Sequence, residues 1–448
     1  MPLTIAVPFT GLDVVKRVAD VYGLPLTLNN VIELNPHLSP YLSALHGRPI
    51  KPKDIKTELS KGNVQSADGV VMGPPCTGFT RIGSGSGWSC EDSQLMITAI
   101  DFAAELANDT RDIRLKFIVI ENSPAVTQRG KDGSPPPIVG MNKRVEEKFK
   151  GKWMPLKPIP MNAHDYEHGL DRLRVFCVSF PKLFRDILDR APGCPLPVPM
   201  PQPRQNKVSL YDVLDDFNPA DEITKPSAYF NTAKMVKKYH TWKKVYAKVQ
   251  VGTVAATDMS RDPKHTFNAK FTVDRCPSLT TRNYQIVVFG KSALQDPLKV
   301  SEHGKLLGVC ERARLLGYEY ADIQPFMSKC QAIKALGNGI AVNVMADLLK
   351  IIGSYVGDVI RIGMDKTVHI PDPDVRLHDI PDVSTGDQLQ LAMKRVRKLR
   401  LLEGDLGVFS CSALPRPMFR ATRKRKLSAI VFKWEPSVIF QDWISLSQ

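Results

Sequence analysis

The sequence predicts an α/β protein: a parallel sheet covered by helices on both faces, followed by a smaller unit and a basic extension. Three observations point there. Short runs rich in β-branched residues alternate with stretches of helical period, as in sheets buried on both faces. A proline-rich stretch, Pro192 to Pro203, fits neither a helix nor a central strand and divides the chain. The length, 448 residues, is enough for two or three packed units, and 43% hydrophobic with 24% charged residues is ordinary globular composition.

Taken in order, Leu3–Val7 is the first predicted strand, ending at Pro8-Phe9-Thr10-Gly11. Val14, Val15, Val18, Ala19 and Tyr22 then recur at helical spacing. Val31–Leu34, Gly69–Met72, Phe117–Ile120 and Arg174–Val178 are further predicted strands. Ligands of such sheets bind outside the carboxyl ends of the strands, so the residues just after each strand matter most. Beyond the proline-rich linker, from about 205 to 275, Lys234, Lys237, Lys238, Lys243, Lys244 and Lys248 are interleaved with Tyr229, Phe230, Tyr239, Trp242 and Tyr246. Two readings stand there: phosphate contacts with base stacking, or a solvated helix face over a small core. Helical character returns at Glu311–Tyr318 and Ala341–Ile352.

Charge narrows the partner. A net charge of +15 favours a polyanion, nucleic acid before membrane. Part of the surplus sits between Lys394 and Lys426, where eleven Lys or Arg face Glu403 and Asp405. The runs Lys394–Arg400 and Arg423–Lys426 read as a nuclear-import signal, a non-specific nucleic-acid grip or a solvated basic helix. With no run of about eighteen apolar residues and no basic, apolar N-terminal leader, no membrane span or secretory signal is expected. The eight cysteines form no Cys-x-x-Cys pair, so no metal site or disulfide framework is expected, and one thiol is free to be catalytic.

Three segments carry the chemistry. Gly69–Met72 runs into Gly73-Pro74-Pro75-Cys76-Thr77-Gly78, a stiff turn suited to presenting a nucleophile. The Gly/Ser-rich loop Arg81–Ser89 follows, placed to close over a substrate. Phe117–Ile120 ends in Glu121-Asn122, where a desolvated carboxyl gains a raised pKa and serves as a proton donor, or else caps the next helix. Arg172 and Arg174, one residue apart on an extended segment, share a side and suit a phosphate, a base or the carboxylate of Glu121, or else form an edge-strand salt bridge.

In order and spacing, Gly73-Pro74-Pro75-Cys76, Glu121-Asn122, Arg172-x-Arg174 and Gly337-Asn338 resemble the cytosine-C5 DNA methyltransferases. Phe9-Thr10-Gly11 looks like the start of that family's cofactor motif, and Val31–Pro36 is similar to the strand whose acid, here Glu33, binds the cofactor ribose. Asp54-Ile55 stands where the family contacts adenine. Asn162–Tyr166, Cys310–Tyr318 and Lys334–Gly339 followed by Val342-Asn343-Val344 complete the set. The match covers about 1–185 and 270–353.

The resemblance implies a Rossmann-like S-adenosylmethionine-dependent methyltransferase sheet (1–185), a target-recognition region (186–300), closing helices (301–355) and a basic C-terminal extension (356–448). It implies that Cys76 adds to cytosine C6, Glu121 serves N3, Arg174 positions the base and Arg172 braces the site. Phe9, Thr10, Gly11, Glu33, Asp54, Ile55, Pro75, Asn338 and Gly339 would hold S-adenosyl-L-methionine. The implied partner is DNA, with base flipping, and the location is the nucleus in a eukaryote, otherwise the cytoplasm. Departures are Asp13 for the family's second glycine, Leu170 and Ala335 for glutamines, and Ser123 for valine. RNA is the alternative substrate. Pro74-Pro75-Cys76-x-x-Phe79-Thr80-Arg81-Ile82-Gly83 is close to the tRNA-directed branch, while Pro277-Ser278-Leu279-Thr280-Thr281 looks like the DNA enzymes. A catalytically silent nucleic-acid binder is the third reading.

Overall fold

The computed structural model describes residues 3–75, 78–79, 87–107, 115–130, 133–189, 200–216, 218–249, 252–259, 272–281, 286–290 and 301–364. Cys76, the loop residues 81–86 and both basic runs of the tail lie outside the described residues.

Six strands form the main sheet: β1 (Leu3–Pro8), β2 (Leu26–Ile32), β3 (Gly69–Met72), β4 (Phe117–Asn122), β5 (Lys157–Asn162) and β7 (Leu173–Ser179). Their order is β2-β1-β3-β4-β7-β5. The order reverses between β1 and β3, and in doubly wound sheets ligands bind at the carboxyl ends of the strands at such a point. β1 to β4 pair in parallel, but β7 runs antiparallel to β4 and β5 antiparallel to β7. The sheet is therefore mixed, not purely parallel. β5 is missing from the sequence reading because Pro158 and Pro160 mask it. As an edge strand it tolerates residues that donate nothing to a ladder.

Alternation along the strands sorts the side chains to two faces. Ile5, Val7, Val71, Phe117, Val119, Phe176 and Val178 enter one core, with residues of α1 (Val14–Tyr22), α2 (Ser39–His46) and α6 (Lys182–Leu188). Ala6, Val70, Met72, Ile118, Ile120, Val175 and Cys177 enter the other, beneath α3 (Ile55–Ser60), α4 (Glu91–Ala107) and α5 (Pro137–Lys148). The predicted strand at Val31–Leu34 is in fact the end of β2. Glu33 follows that strand, and Leu34 is 63% exposed.

After residue 200 come α7 (Leu210–Val213), α8 (Pro226–Tyr229) and α9 (Ala233–Tyr246). A small sheet of order β12-β11-β8-β9 follows, from β8 (Val254–Asp258), β9 (Thr272–Val273), β11 (Ile286–Gly290) and β12 (Lys305–Leu306). Val254, Ala256, Ile286 and Val288 on one face join the first core of the main sheet, while Ala255, Val287 and Phe289 on the other pack under α9. Between the sheets, β6 (Leu170–Asp171) pairs with β10 (Cys276–Pro277). The chain then returns through α10 (Val309–Arg314), α11 (Tyr320–Ile323), α12 (Lys329–Asn338) and α13 (Val342–Met364). α13 packs against α1 and α6 and runs on past Tyr355, with Val356 and Val359 buried.

Candidate active site

The loop after β1 alternates backbone handedness: Phe9, Gly11 and Asp13 have φ of 57°, 55° and 48°. Thr10 is fixed between them. Its N–H donates to Ile32 O at 3.2 Å and its hydroxyl donates to Val7 O at 2.5 Å. The Glu33 carboxylate accepts Gly11 N–H at 2.8 Å and Asn35 N–H at 2.9 Å. Lys53 N–H donates to Glu33 O at 2.8 Å, which brings the next two residues, Asp54 and Ile55, alongside. Asp54 caps α3, accepting Lys56 N–H at 3.3 Å and Thr57 hydroxyl at 3.1 Å, and Ile55 is 3% exposed. Phe9, Thr10, Gly11, Glu33, Asp54 and Ile55 thus converge although 46 positions separate the first from the last.

Two strands along, β3 delivers Gly73-Pro74-Pro75 and β4 delivers Glu121-Asn122. The turns are tied, since Asn122 Nδ2 donates to Pro74 O at 3.2 Å. Glu121 Oε2 lies 3.3 Å from where a Cβ on Gly73 would sit, so the carboxyl group abuts the turn that leads to Cys76. Arg174 on β7 reaches Glu121 from the far side, Nε to Oε1 at 3.0 Å. Burial raises the Glu121 pKa above the usual carboxylate value, against the lowering pull of Arg174 and Arg172. The helix-cap alternative for Glu121 falls away, because its carboxylate pairs with Arg174 and Ser123 stands at the cap of the next helix. Cys177, on β7, is pushed up to about 12 by burial and by Glu121, and Cys276 is raised too by burial. Neither thiol is poised to ionise.

Arg172 is buried and serves the backbone. Its Nη1 donates to Leu279 O at 2.6 Å, and its Nη2 donates to Gly337 O at 3.0 Å and Gly339 O at 2.9 Å. One guanidinium therefore joins the segment after β10 to the end of α12. Gly337 is required at that junction: a Cβ there would sit 2.3 Å from the carbonyl of Thr280. Asn338, the last residue of α12, is exposed, and Gly339 caps the helix. The segment Pro277–Thr281 is thus held against Arg172, a proximity that sequence does not show.

In the smaller unit the aromatic–lysine segment resolves in two directions. Tyr239, Trp242 and Tyr246 are each 1% exposed and Phe230 2%, all packed in the core beneath α9. They are unavailable for base stacking, and of the two alternatives it is the small core that they form. Lys234, Lys237, Lys244 and Lys248 are exposed, and α9 contains no acid. One buried pair carries no signal in the sequence. Asp13 Oδ2 meets His46 Nε2 at 2.8 Å, and nothing in the sequence marks His46 as its partner.

A doubly wound sheet thus gathers a stiff turn, a buried carboxyl group and an arginine at its carboxyl edge. A profile of the C-5 cytosine-specific DNA methylases matches residues 31–354, and the chain belongs to that family. It is similar to the type II methyltransferase M.FnuDI of Fusobacterium nucleatum, 27% identical over 183 residues. That match spans 41% of this chain and 48% of the relative, about half its length. Among solved structures, the Dnmt2 methyltransferase of S. pombe aligns over 79% of this chain and 98% of its own, at 14% identity and a TM-score of 0.49. The Entamoeba histolytica methyltransferase EhMeth covers the same shares at 13% identity and a TM-score of 0.49. The members of this family are S-adenosylmethionine-dependent methyltransferases.

Proposed function

We propose that this chain transfers a methyl group from S-adenosyl-L-methionine to C5 of cytosine in DNA, through a covalent bond between Cys76 and C6. The observation that carries it is Glu121: a buried carboxyl group with a raised pKa, clamped by Arg174 and abutting the Gly73-Pro74-Pro75 turn. Attack of the Cys76 thiolate on C6 pushes an electron pair toward N3. A protonated Glu121 beside N3 gives it a proton, and C5 then gains enamine character. Arg174 holds the carboxyl group, and Arg172 holds the walls formed by Leu279 and Gly337–Gly339. After methylation the C5 proton passes to solvent, elimination at C6 releases the Cys76 thiolate, and N3 returns its proton to Glu121.

The residues present fit the cofactor. The Glu33 carboxylate accepts one N–H at each oxygen and retains lone pairs for a ribose diol. A Cβ on Gly11 would meet no atom within 4 Å, so the loop tip borders open space. Phe9, Thr10, Asp54, Ile55, Pro75, Asn338 and Gly339 would complete the enclosure. When bound, S-adenosylmethionine supplies an electrophilic methyl group. Residues 186–300 are assigned to target recognition, with flipping of the base out of the duplex.

DNA is favoured over tRNA by the family description and by the Pro277–Thr281 segment. The tRNA reading is favoured by Pro74–Gly83. Transfer of labelled methyl from S-adenosylmethionine to duplex DNA and to tRNA, with Cys76→Ala beside the wild type, tests the proposal. Label in DNA that vanishes with Cys76→Ala is expected. Label in tRNA alone moves the substrate to RNA, and no transfer by folded protein leaves a silent nucleic-acid binder.

A further inference from the structure

Asp13 stands where the resemblance expects a glycine, and the difference has a structural partner. The residue takes φ +48° and ψ 69°, a left-handed conformation that Asp and Asn tolerate better than other side chains. Its carboxylate is divided. Oδ1 accepts Lys16 N–H at 2.9 Å and caps α1, while Oδ2 takes His46 Nε2 at 2.8 Å. Both side chains are enclosed, Asp13 at 0% and His46 at 4% exposure. An isolated carboxylate so buried would be costly, and the imidazole N–H supplies the match.

The pair is continuous with the loop before it. Asp13 N–H donates to Thr10 O at 2.9 Å, and Leu12 O accepts the Tyr41 hydroxyl at 3.4 Å. Tyr41 and His46 both belong to α2, so one helix holds two consecutive residues of the loop. That loop is the one whose Gly11 N–H must point at Glu33. We infer that His46 is a positioning residue: it neutralises the demand of the Asp13 carboxylate and so keeps residues 9–13 in the shape that receives S-adenosylmethionine. This rests on the cofactor reading given above. Asp13 thus replaces the backbone freedom of glycine with a side-chain lock.

The test is calorimetric titration of the full chain with S-adenosylhomocysteine, for wild type, His46→Ala, Asp13→Gly and the double variant. His46→Ala is expected to weaken binding on the order of tenfold, since coupled contacts of this kind carry that much. The double variant is expected to bind more tightly than His46→Ala, because glycine keeps the left-handed backbone and leaves no carboxylate to match. His46→Gln, which retains an N–H donor, should stay within about threefold of wild type. In turnover, His46→Ala should raise the cofactor KM by more than it lowers kcat. His46→Ala binding like wild type, or a double variant weaker than either single, overturns the inference and leaves the cofactor reading standing. Wild type that binds no S-adenosylhomocysteine overturns both.

Discussion

At the carboxyl edge of the main sheet, the buried side chains include charges, and each is held by a defined partner. Glu121 has Arg174, Arg172 has three carbonyls and Asp13 has His46. Under α9 the pattern inverts: Phe230, Tyr239, Trp242 and Tyr246 are buried, and Lys234, Lys237, Lys244 and Lys248 are exposed. Both regions look chemically loaded in the sequence. The difference teaches that a conspicuous residue type signals function where burial and chemistry conflict. Where burial and chemistry agree, as for Trp242 or Tyr239, packing is a sufficient account.

The comparison is broken most directly at Glu121. Glu121→Gln keeps the shape and removes the acid, so methyl transfer should fall by roughly 10²–10⁴-fold, measured as initial rates at saturating cofactor. Stability should move the other way. Burial raises the folded-state pKa of Glu121, so its contribution is fully present below the unfolded pKa and is lost as pH rises through the folded value. The permanently neutral Gln escapes that loss. Its melting temperature should gain on wild type as pH increases across that window, and an unchanged difference would sink the assignment of a desolvated acid.

Trp242→Ala reports on the other region, where the cost should be about 3–5 kcal/mol by denaturant unfolding. A cost below about 1 kcal/mol would mean that Trp242 is not core, and would reopen the stacking reading. Arg172→Lys comes next. An ammonium cannot span the carbonyls of Leu279, Gly337 and Gly339 as the guanidinium fork does, so about 2 kcal/mol should be lost despite the retained charge. Full retention by lysine would reduce Arg172 to a point charge. The smallest effect belongs to the double change Lys237→Ala with Lys244→Ala, which should alter stability by no more than about 0.5 kcal/mol. If these lysines touch phosphates, the slope of log affinity against log salt falls by about one for each. An unchanged slope makes them a solvated face.

Much of the fold was legible in the chain. The runs at Leu3–Val7, Gly69–Met72, Phe117–Ile120 and Arg174–Val178 all lie in strands of the main sheet, because β-branched residues in short runs announce burial on both faces. Strand direction was not legible. Nothing local distinguishes the antiparallel β7 from its parallel neighbours, since direction depends on which way the connecting chain crosses the sheet. β5 was hidden by its prolines, and the two-residue strands β6 and β10 are too short to carry a pattern.

The same division runs through the site. By itself the sequence determined which residue types end each strand: the stiff Gly73-Pro74-Pro75 turn, the acid at 121, the acid at 33 and the arginine pair. These are properties of neighbours along the chain, where glycine, proline and strand period act over a few residues. Only the tertiary structure decided their partners: Glu121 with Arg174, Gly11 with Glu33, Arg172 with Gly337 across 165 positions, and Asp13 with His46 across 33. A buried polar group takes whatever donor or acceptor the packing brings within about 3 Å, and packing is settled by contacts remote in the chain.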